Sequence, residues 1–473
     1  MSASAPLPDW LARFQARLGA ELIETHISWV LLTDGFVWKL KKPLSLPFLD
    51  YGTAEQRRFC CHEELRLNRR LAPGLYLGLE EVDNSGECAV KMRRFAESQR
   101  LDHVCDRGGL GPDALDSLAR TLHAFHRGAA VADARSPWGE PAEVLAPALD
   151  NFTTLLTLQP AEANRLARLQ RWTQAEFDHR RGVFAARKAE GFIRECHGDL
   201  HLGNLVLLDG QVVPFDCIEF NPALRWIDVA SELAFTWMDL LDRRRPDLAA
   251  WLLSAWLGES GDVGAVPVLR FYAVYKAMVR AKVAALSGKP EGVASYLDLA
   301  ERLTTPPAPR LTITHGLSGS GKTVRSTALL MADPAAATLR LRSDVERKRL
   351  HGLPALAHSR PDTQSGGIYT AEATRLTFAH LAEAAAGMLD AGWSVIVDAA
   401  FLKRAERDTF RNIALARGAG FAILACSAPE DELRRRLEAR RGDASEATVA
   451  VLERQLGWIE ALAANELDYV LPP

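Results

Sequence analysis

Two short stretches of this chain combine residue types that handle phosphate. The first is His197-Gly198-Asp199-Leu200-His201-Leu202-Gly203-Asn204, with a further acid at Asp216. Asp199 and Asn204 stand five positions apart, and an apolar run, Leu205 to Leu208, leaves Asn204 as a strand. Asp209-Gly210 is a turn pair and Val212 to Phe215 reads as the returning strand, so a hairpin brings Asp216 back beside Asn204. Two oxygen-bearing side chains in that position suit Mg²⁺ held on phosphates, and a carboxylate one loop away suits a base aimed at an acceptor hydroxyl. Asn204 and Asp216 are therefore the candidate metal ligands, Asp199 the candidate base, and His197 a buttress of the loop.

The second stretch, Gly316-Leu317-Ser318-Gly319-Ser320-Gly321-Lys322-Thr323, matches G-x-x-x-x-G-K-[ST] in full. A strand, Leu311 to Thr314, precedes it and a helix through Val324 to Leu330 follows, which is the context the motif needs. Gly316, Ser318, Gly319, Ser320 and Gly321 then shape a loop whose N–H groups cradle the phosphates of ATP. Lys322 reaches the β- and γ-phosphates and Thr323 holds Mg²⁺. Val395-Ile396-Val397-Asp398 is an apolar strand ending in a carboxylate, which places Asp398 near the same Mg²⁺. Arg342-Ser343-Asp344 closes another strand, at the sheet edge where ligands bind. Asp344 is a candidate base, its alternative role being the N-cap of a helix over Val345 to Leu350. Arg347, one turn on, is a candidate clamp for an anionic acceptor. Between Glu432 and Arg441 lie five arginines, of which Arg436 and Arg440 share a helix face and are candidates to close over the phosphates.

These groups need elements to position them. In Val37-Trp38-Lys39-Leu40-Lys41 both lysines fall on one strand face. One of them is expected to meet phosphate, Lys39 before Lys41. Glu64, on a helix over Glu55 to Leu71, is the expected partner, with Glu63 as the alternative. Strands over Ser28 to Thr33 and Phe36 to Leu40 flank the turn Asp34-Gly35. From Pro112 onward the patterns are helical: Asp113 to Arg127, Ala161 to Lys188, Val266 to Leu286. A small β-containing lobe over about 1–95 and a helical lobe over about 96–303 follow from this order. Thr304-Thr305-Pro306-Pro307-Ala308-Pro309 reads as a stiff linker. After it, short strands alternate with helices over 310–473: Leu311 to Thr314, Thr338 to Leu341, Val395 to Val397, Phe421 to Cys426 and Tyr469 to Leu471. That rhythm predicts a parallel, doubly wound sheet. His123 and His126 are expected to pack or cap, Arg225 and Asp228 to form an ion pair, and Trp251 and Trp256 to fill the helical core.

The length of 473 residues allows two or three domains, and 48% hydrophobic content supplies their cores. A net charge of -3 gives no electrostatic case for nucleic acid or an anionic membrane. The seven cysteines form no C-x-x-C pair, which fits a reducing, cytoplasmic setting. No apolar run of membrane-spanning length is present, and the first residues do not read as a signal peptide.

The first stretch resembles the aminoglycoside phosphotransferase and choline kinase-like family, in which the Asp of the motif is the base and the Asn and later Asp hold Mg²⁺. That resemblance implies the same roles for Asp199, Asn204 and Asp216. Two features depart from the protein-kinase pattern. No G-x-G-x-x-G loop precedes Lys39, and Asp216-Cys217-Ile218 stands where protein kinases carry Asp-Phe-Gly. The second stretch resembles the small P-loop kinases of the gluconate kinase and zeta-toxin type. The order of the halves, with Thr25-His26-Ile27-Ser28-Trp29 and Glu64-Leu65-Arg66-Leu67-Asn68, resembles the bifunctional aminoglycoside phosphotransferase/ATP-binding proteins. The fold class expected is an α+β, protein-kinase-like bilobal domain followed by an α/β P-loop NTPase domain. The activity implied is an ATP- and Mg²⁺-dependent phosphotransferase with two sites acting on hydroxyls of small-molecule acceptors. Two alternatives stand beside it. One domain is a regulatory ATP switch for the other, or the P-loop half phosphorylates a nucleotide, nucleotide sugar or polynucleotide end.

Overall fold

The computed structural model describes residues 7–46, 49–82, 85–357, 367–439 and 444–472. The chain divides into two compact units, residues 1–147 with 184–239 and residues 148–183 with 240–473. The helices Pro246–Ser260, Val266–Leu286 and Pro290–Thr304 thus group with the P-loop segment that follows them.

The first unit contains a five-stranded antiparallel sheet. Its spatial order is Glu21–Glu24, Ser28–Leu32, Phe36–Lys41, Glu87–Arg93, Tyr76–Val82. The turn at Asp34-Gly35 closes with the Thr33 N–H donating to the Phe36 carbonyl at 3.0 Å. Period-two alternation sorts the strand Phe36–Lys41. Trp38 and Leu40 pack on Leu11 and Phe14 of the helix Asp9–Leu18. Lys39 and Lys41 point to the other face, where the helix Ala54–Asn68 lies against the sheet. That helix opens on a Thr53/Gln56 capping box, an arrangement worth about 1 kcal/mol. Its amphipathic signal is weak because Arg57, Glu64 and Asn68 are among its buried residues.

The hairpin Leu205–Leu208 and Gln211–Pro214 pairs Leu205 with Pro214. Asp209 (φ 49°) and Gly210 (φ 78°) both occupy the left-handed region that a two-residue turn of this twist requires.

In the second unit four parallel strands lie in the order Thr338–Arg342, Ser394–Asp398, Arg310–His315, Gly420–Ala425. Val395, Ile396 and Val397 are successive and all buried, as expected of a strand covered on both faces. The predicted strand at Tyr469 to Leu471 is not one. Ala464–Tyr469 is a short 3₁₀ helix, and Val470 makes a single bridge to Ile423. Pro472 has no N–H to continue a ladder. Among the described residues, no helix is long and apolar enough to cross a membrane.

Candidate functional sites

Around Asp216 the first unit gathers a chain of buried charges. Lys39 Nζ lies 2.5 Å from Asp216 Oδ1 and 3.1 Å from Glu64 Oε1. Lys41, fully buried, is paired with Glu64 and Glu219. The Tyr51 hydroxyl also donates to Glu219, at 2.5 Å. Burial alone would depress both lysines. For Lys39, Asp216 and Glu64 outweigh it; for Lys41, Glu219 and Glu64 do, and both stay well above the ordinary lysine value. The two lysines therefore separate by environment. Lys41 is enclosed by its carboxylates, while Lys39 keeps a 16% exposed side chain beside Asp216, itself 40% exposed. Glu63 is turned away from both, toward Arg66 and Arg225. Sequence reading missed Glu219, whose only signal is its place three residues after Asp216 on the same loop.

Asn204 Nδ2 donates to the carbonyl and to Oδ2 of Asp199, each at 2.9 Å. The Phe215 N–H donates to the Asn204 carbonyl at 2.9 Å, so the hairpin does set Asp216 next to Asn204. Asp216 adopts φ 66°, and its N–H donates to the Tyr76 hydroxyl at 3.1 Å. The Cys217 N–H donates to Asn68 Oδ1 at 2.9 Å, and Asn68 Nδ2 donates to the Glu64 carbonyl. The turn Glu64–Asn68 thus grips the segment that carries Asp216. Burial pushes the Asp216 carboxyl up, but Lys39 outweighs it and holds it below its usual value.

Behind the loop, the helix Val229–Asp242 supplies three polar groups on one face. Glu232 accepts from the N–H groups of His197 (2.7 Å) and Gly198 (2.9 Å). The Thr236 hydroxyl donates to the Leu200 carbonyl at 2.6 Å, and Asp239 accepts the Leu202 N–H at 2.8 Å. Their spacing of four and three residues was a readable signal on a mostly apolar helix. His126 lies 3.0 Å from Glu232, a more specific contact than packing or capping. Gly198 (φ 92°) has no room for a side chain, since a Cβ would stand 2.7 Å from the Leu224 carbonyl. His197 donates from Nε2 to the Phe215 carbonyl at 2.8 Å and accepts the Asp199 N–H at Nδ1. The expected Arg225–Asp228 pair does not form. Asp228 is held by Arg187 and Arg225 by Glu195 and Glu63, because the strand pairing Trp226–Asp228 with Ile193–Glu195 sets Arg225 beside Glu195.

In the second unit the glycine-rich loop joins Arg310–His315 to the helix Lys322–Met331. Gly316 (φ 148°) is pressed against the chain, since a Cβ would stand 2.1 Å from the Cys426 carbonyl. Gly319 and Gly321 also take positive φ, 85° and 87°. Lys322 Nζ donates to the carbonyls of Gly316 and Leu317 at 2.9 and 2.8 Å. Thr323 sits in the first turn of the helix, and the Ser318 N–H is taken by Gln455 Oε1 at 2.8 Å. Ser320 Oγ is buried with no hydrogen-bond partner among the described residues. An orphaned hydroxyl, a glycine cradle and a lysine at its mouth fit a polyphosphate. A cavity of about 160 Å³ adjoins the loop, lined in part by Leu317, Cys426, Ala428 and Ile459.

Asp398 is buried at its strand end and accepts from Ser326 Oγ at 3.1 Å. Asp344 is the second residue of the helix Ser343–Leu350, whose N-cap is Arg342, so the capping role does not apply. Burial pushes its carboxyl up, Ser445, Arg342 and Arg347 draw it down, and Asp398 adds to the rise, leaving it above its usual value. Arg347 is buried, with one guanidinium nitrogen donating to the Ile368 carbonyl (3.0 Å) and Thr374 Oγ1 (3.2 Å) and its Nε without a hydrogen-bond partner among the described residues. Arg436 reaches the loop, donating to the Gly319 carbonyl at 3.2 Å. Arg434 and Arg435 pair with surface glutamates, and Arg440 lies outside the described residues.

Residues 80–272 match the Phosphotransferase enzyme family, and residues 311–462 match the AAA domain. Two uncharacterized proteins, from Mycobacterium tuberculosis and Mycobacterium bovis, are each 31% identical over 460 residues, spanning 94% of this chain and 90% of theirs. Among solved structures, a choline/ethanolamine kinase family protein from Mesorhizobium loti is similar at 14% identity, covering 68% of this chain and 99% of its own, with a TM-score of 0.39. Aminoglycoside 2'-phosphotransferase-IIIa is similar at 13% identity, covering 63% of this chain and 99% of its own, with a TM-score of 0.35.

Proposed function

Because this chain belongs to the family that joins a phosphotransferase-enzyme segment to a carboxy-terminal P-loop kinase-like AAA segment, we propose that it is an ATP- and Mg²⁺-dependent phosphotransferase with two nucleotide sites. Each site transfers the γ-phosphate to a hydroxyl of a small-molecule acceptor in the cytoplasm.

The observation that carries this reading is the Asp199–Asn204–Asp216–Lys39 arrangement. Asn204 fixes Asp199 through its amide NH₂, which leaves the amide oxygen for a cation shared with Asp216. Lys39 then leaves Asp216 for phosphate oxygens while Glu64 keeps it oriented. Asp199 accepts the acceptor's proton as the hydroxyl oxygen attacks. Mg²⁺, when bound, neutralises charge on the phosphates. In the second site Lys322 and the loop amides hold phosphate, Thr323 and Asp398 hold the cation, Asp344 takes the proton and Arg436 meets charge that grows on the transferring group. In full-length protein, Asp199→Ala is expected to cut amino-terminal turnover roughly 10²- to 10⁴-fold with ATP affinity preserved. Near-normal turnover would overturn the assignment.

A second reading for the P-loop half, a nucleotide-controlled switch, draws support from Gln455, which occupies a loop amide that phosphate would need. Asp344→Ala separates the two: loss of phosphate transfer at this half supports the kinase, and an effect on the amino-terminal turnover alone supports the switch.

A further inference from the structure

The helix Pro246–Ser260 precedes the proline linker, yet it packs on both the helix Lys322–Met331 and the strand Thr338–Arg342. The contact converges on one arginine. Arg340 is buried, with its guanidinium carbon 5.5 Å from the centre of the Trp251 ring. A cation over the face of a tryptophan is attracted by the ring's quadrupole, and a planar guanidinium also stacks there. The same guanidinium donates to Thr327 Oγ1 at 2.5 Å and to Ser326 Oγ at 3.3 Å. Ser326 Oγ in turn lies 3.1 Å from both Asp398 Oδ2 and the Thr323 carbonyl, which share its one hydroxyl hydrogen. A continuous path therefore runs from Trp251 through Arg340 and Ser326 to Asp398.

The far end of the helix makes a second connection. Arg349 donates to the carbonyls of Leu257 (3.2 Å), Gly258 (2.6 Å) and Glu259 (3.2 Å) in the last turn of the helix, where cations are favoured. Arg349 belongs to Ser343–Leu350, the helix that bears Asp344. At the C-cap, Gly261 (φ 67°) lies under the Arg349 guanidinium, 2.6 Å from where a Cβ would stand, so a side chain there would displace the arginine.

We propose that the helix Pro246–Ser260 is a positioning element of the P-loop site, with Trp251 acting through Arg340 and Ser326 to orient the Asp398 carboxylate. This rests on the reading of Asp398 as a group that holds the nucleotide's cation. Trp251 and Arg340 are positioning residues and touch no substrate. Their effect belongs to Mg²⁺-dependent binding, since the loop amides and Lys322 hold phosphate without Asp398.

The test uses full-length protein carrying Lys39→Met and Asp216→Ala, so that ATP titration reports the P-loop site, with and without Mg²⁺. Trp251→Ala is expected to weaken MgATP binding roughly 3- to 30-fold and to leave metal-free ATP binding unchanged. Trp251→Phe, which keeps a ring for the guanidinium, restores most of the affinity. Arg340→Lys, which keeps charge but loses the fork, does not. Equal loss with and without Mg²⁺, or no loss in either variant, overturns the proposal. If Trp251→Ala does not fold, Arg340→Lys against Trp251→Phe decides. Hydrogen exchange gives a readout without nucleotide: Trp251→Ala should speed exchange in residues 322–331 and at Ala399, and unchanged exchange overturns the proposal. Parent protein that binds no ATP here, with Lys322→Ala identical to it, refutes the nucleotide reading instead, and exchange then decides the positioning role.

Discussion

Around Asp216 the groups that would meet phosphate are side chains already paired with one another. Around Gly316 they are backbone amides, an orphaned hydroxyl and a lysine folded onto the loop's own carbonyls. The first candidate site stores its order in buried charge: Lys39 and Lys41 against Glu64, Asp216 and Glu219. The second stores it in backbone shape, with Gly316 where no Cβ fits and Gly319 at φ 85° in close contact with the Leu433 carbonyl. The charged site breaks when one partner is removed, and the backbone site breaks when a methyl group is added.

The largest effect should come from Lys41→Met. Removing Lys41 leaves Glu219 with the Tyr51 hydroxyl and Glu64 with Lys39, each short of one buried cation, at a cost of about 3–5 kcal/mol. Thermal unfolding of the full chain should show a much larger fall in Tm than for Lys39→Met, whose partner Asp216 keeps access to water. Equal falls would mean that the two lysines are not distinguished by environment.

Next comes Gly316→Ala. The added Cβ meets the Cys426 carbonyl and deforms the loop, so ATP binding at this site should weaken roughly 10²-fold, ~3 kcal/mol by the affinity relation. Amino-terminal turnover should be unaffected. Retained P-loop affinity by calorimetry would show that the cradle is not built by that glycine.

A smaller change is expected for Glu232→Gln. The amide keeps an acceptor oxygen for the His197 and Gly198 N–H groups but loses the charge that strengthens those bonds and the contact with His126. Charge-assisted bonds exceed neutral ones by about 1 kcal/mol, so turnover should fall roughly fivefold with KM for ATP held constant. A rise in KM instead would move Glu232 into nucleotide binding.

The smallest effect is on pH dependence. Burial depresses the His197 pKa below the usual histidine value, with Glu232 and the Phe215 carbonyl pulling the other way. The unfolded chain then binds a proton more readily than the folded one. The contribution of neutral His197 is full above the ordinary pKa of about 6.5 and declines as pH falls through the depressed folded value. Urea midpoints should therefore drop more between about pH 7.5 and about pH 5 for the parent than for His197→Gln. Asp216 and Glu232, held below their usual carboxylate values, lose their contributions at lower pH, outside that window. Parallel curves would refute a neutral buried His197.

Local patterns carried much of this. The spacing of Asp199 and Asn204 and the turn at Asp209-Gly210 define a hairpin, and a hairpin has few ways to return. Gly316 to Thr323 fixes its own loop because successive glycines admit backbone angles that other residues avoid. What failed to show was partner choice. Arg225 and Asp228 were expected to pair, but each found its partner on another element. Gln455 and Arg340 carry no local signature, and Glu219 only its place three residues after Asp216. The strand expected at Tyr469 to Leu471 was misread because three apolar-leaning residues cannot declare a ladder when proline follows.

The sequence by itself determined which residue types could handle phosphate, in what order, and the strands and turns that present them, because those depend on interactions within a few residues. It also determined that Lys39 and Lys41 share a face. Only the tertiary structure decided which lysine lies beside Asp216, since Glu219 arrives from a loop 178 positions away from Lys41. It likewise decided that Trp251, read as core filler, lies on Arg340, and that Arg349 closes the helix Pro246–Ser260. Such contacts join residues far apart in the chain. Their free energy depends on burial and geometry that no local pattern encodes.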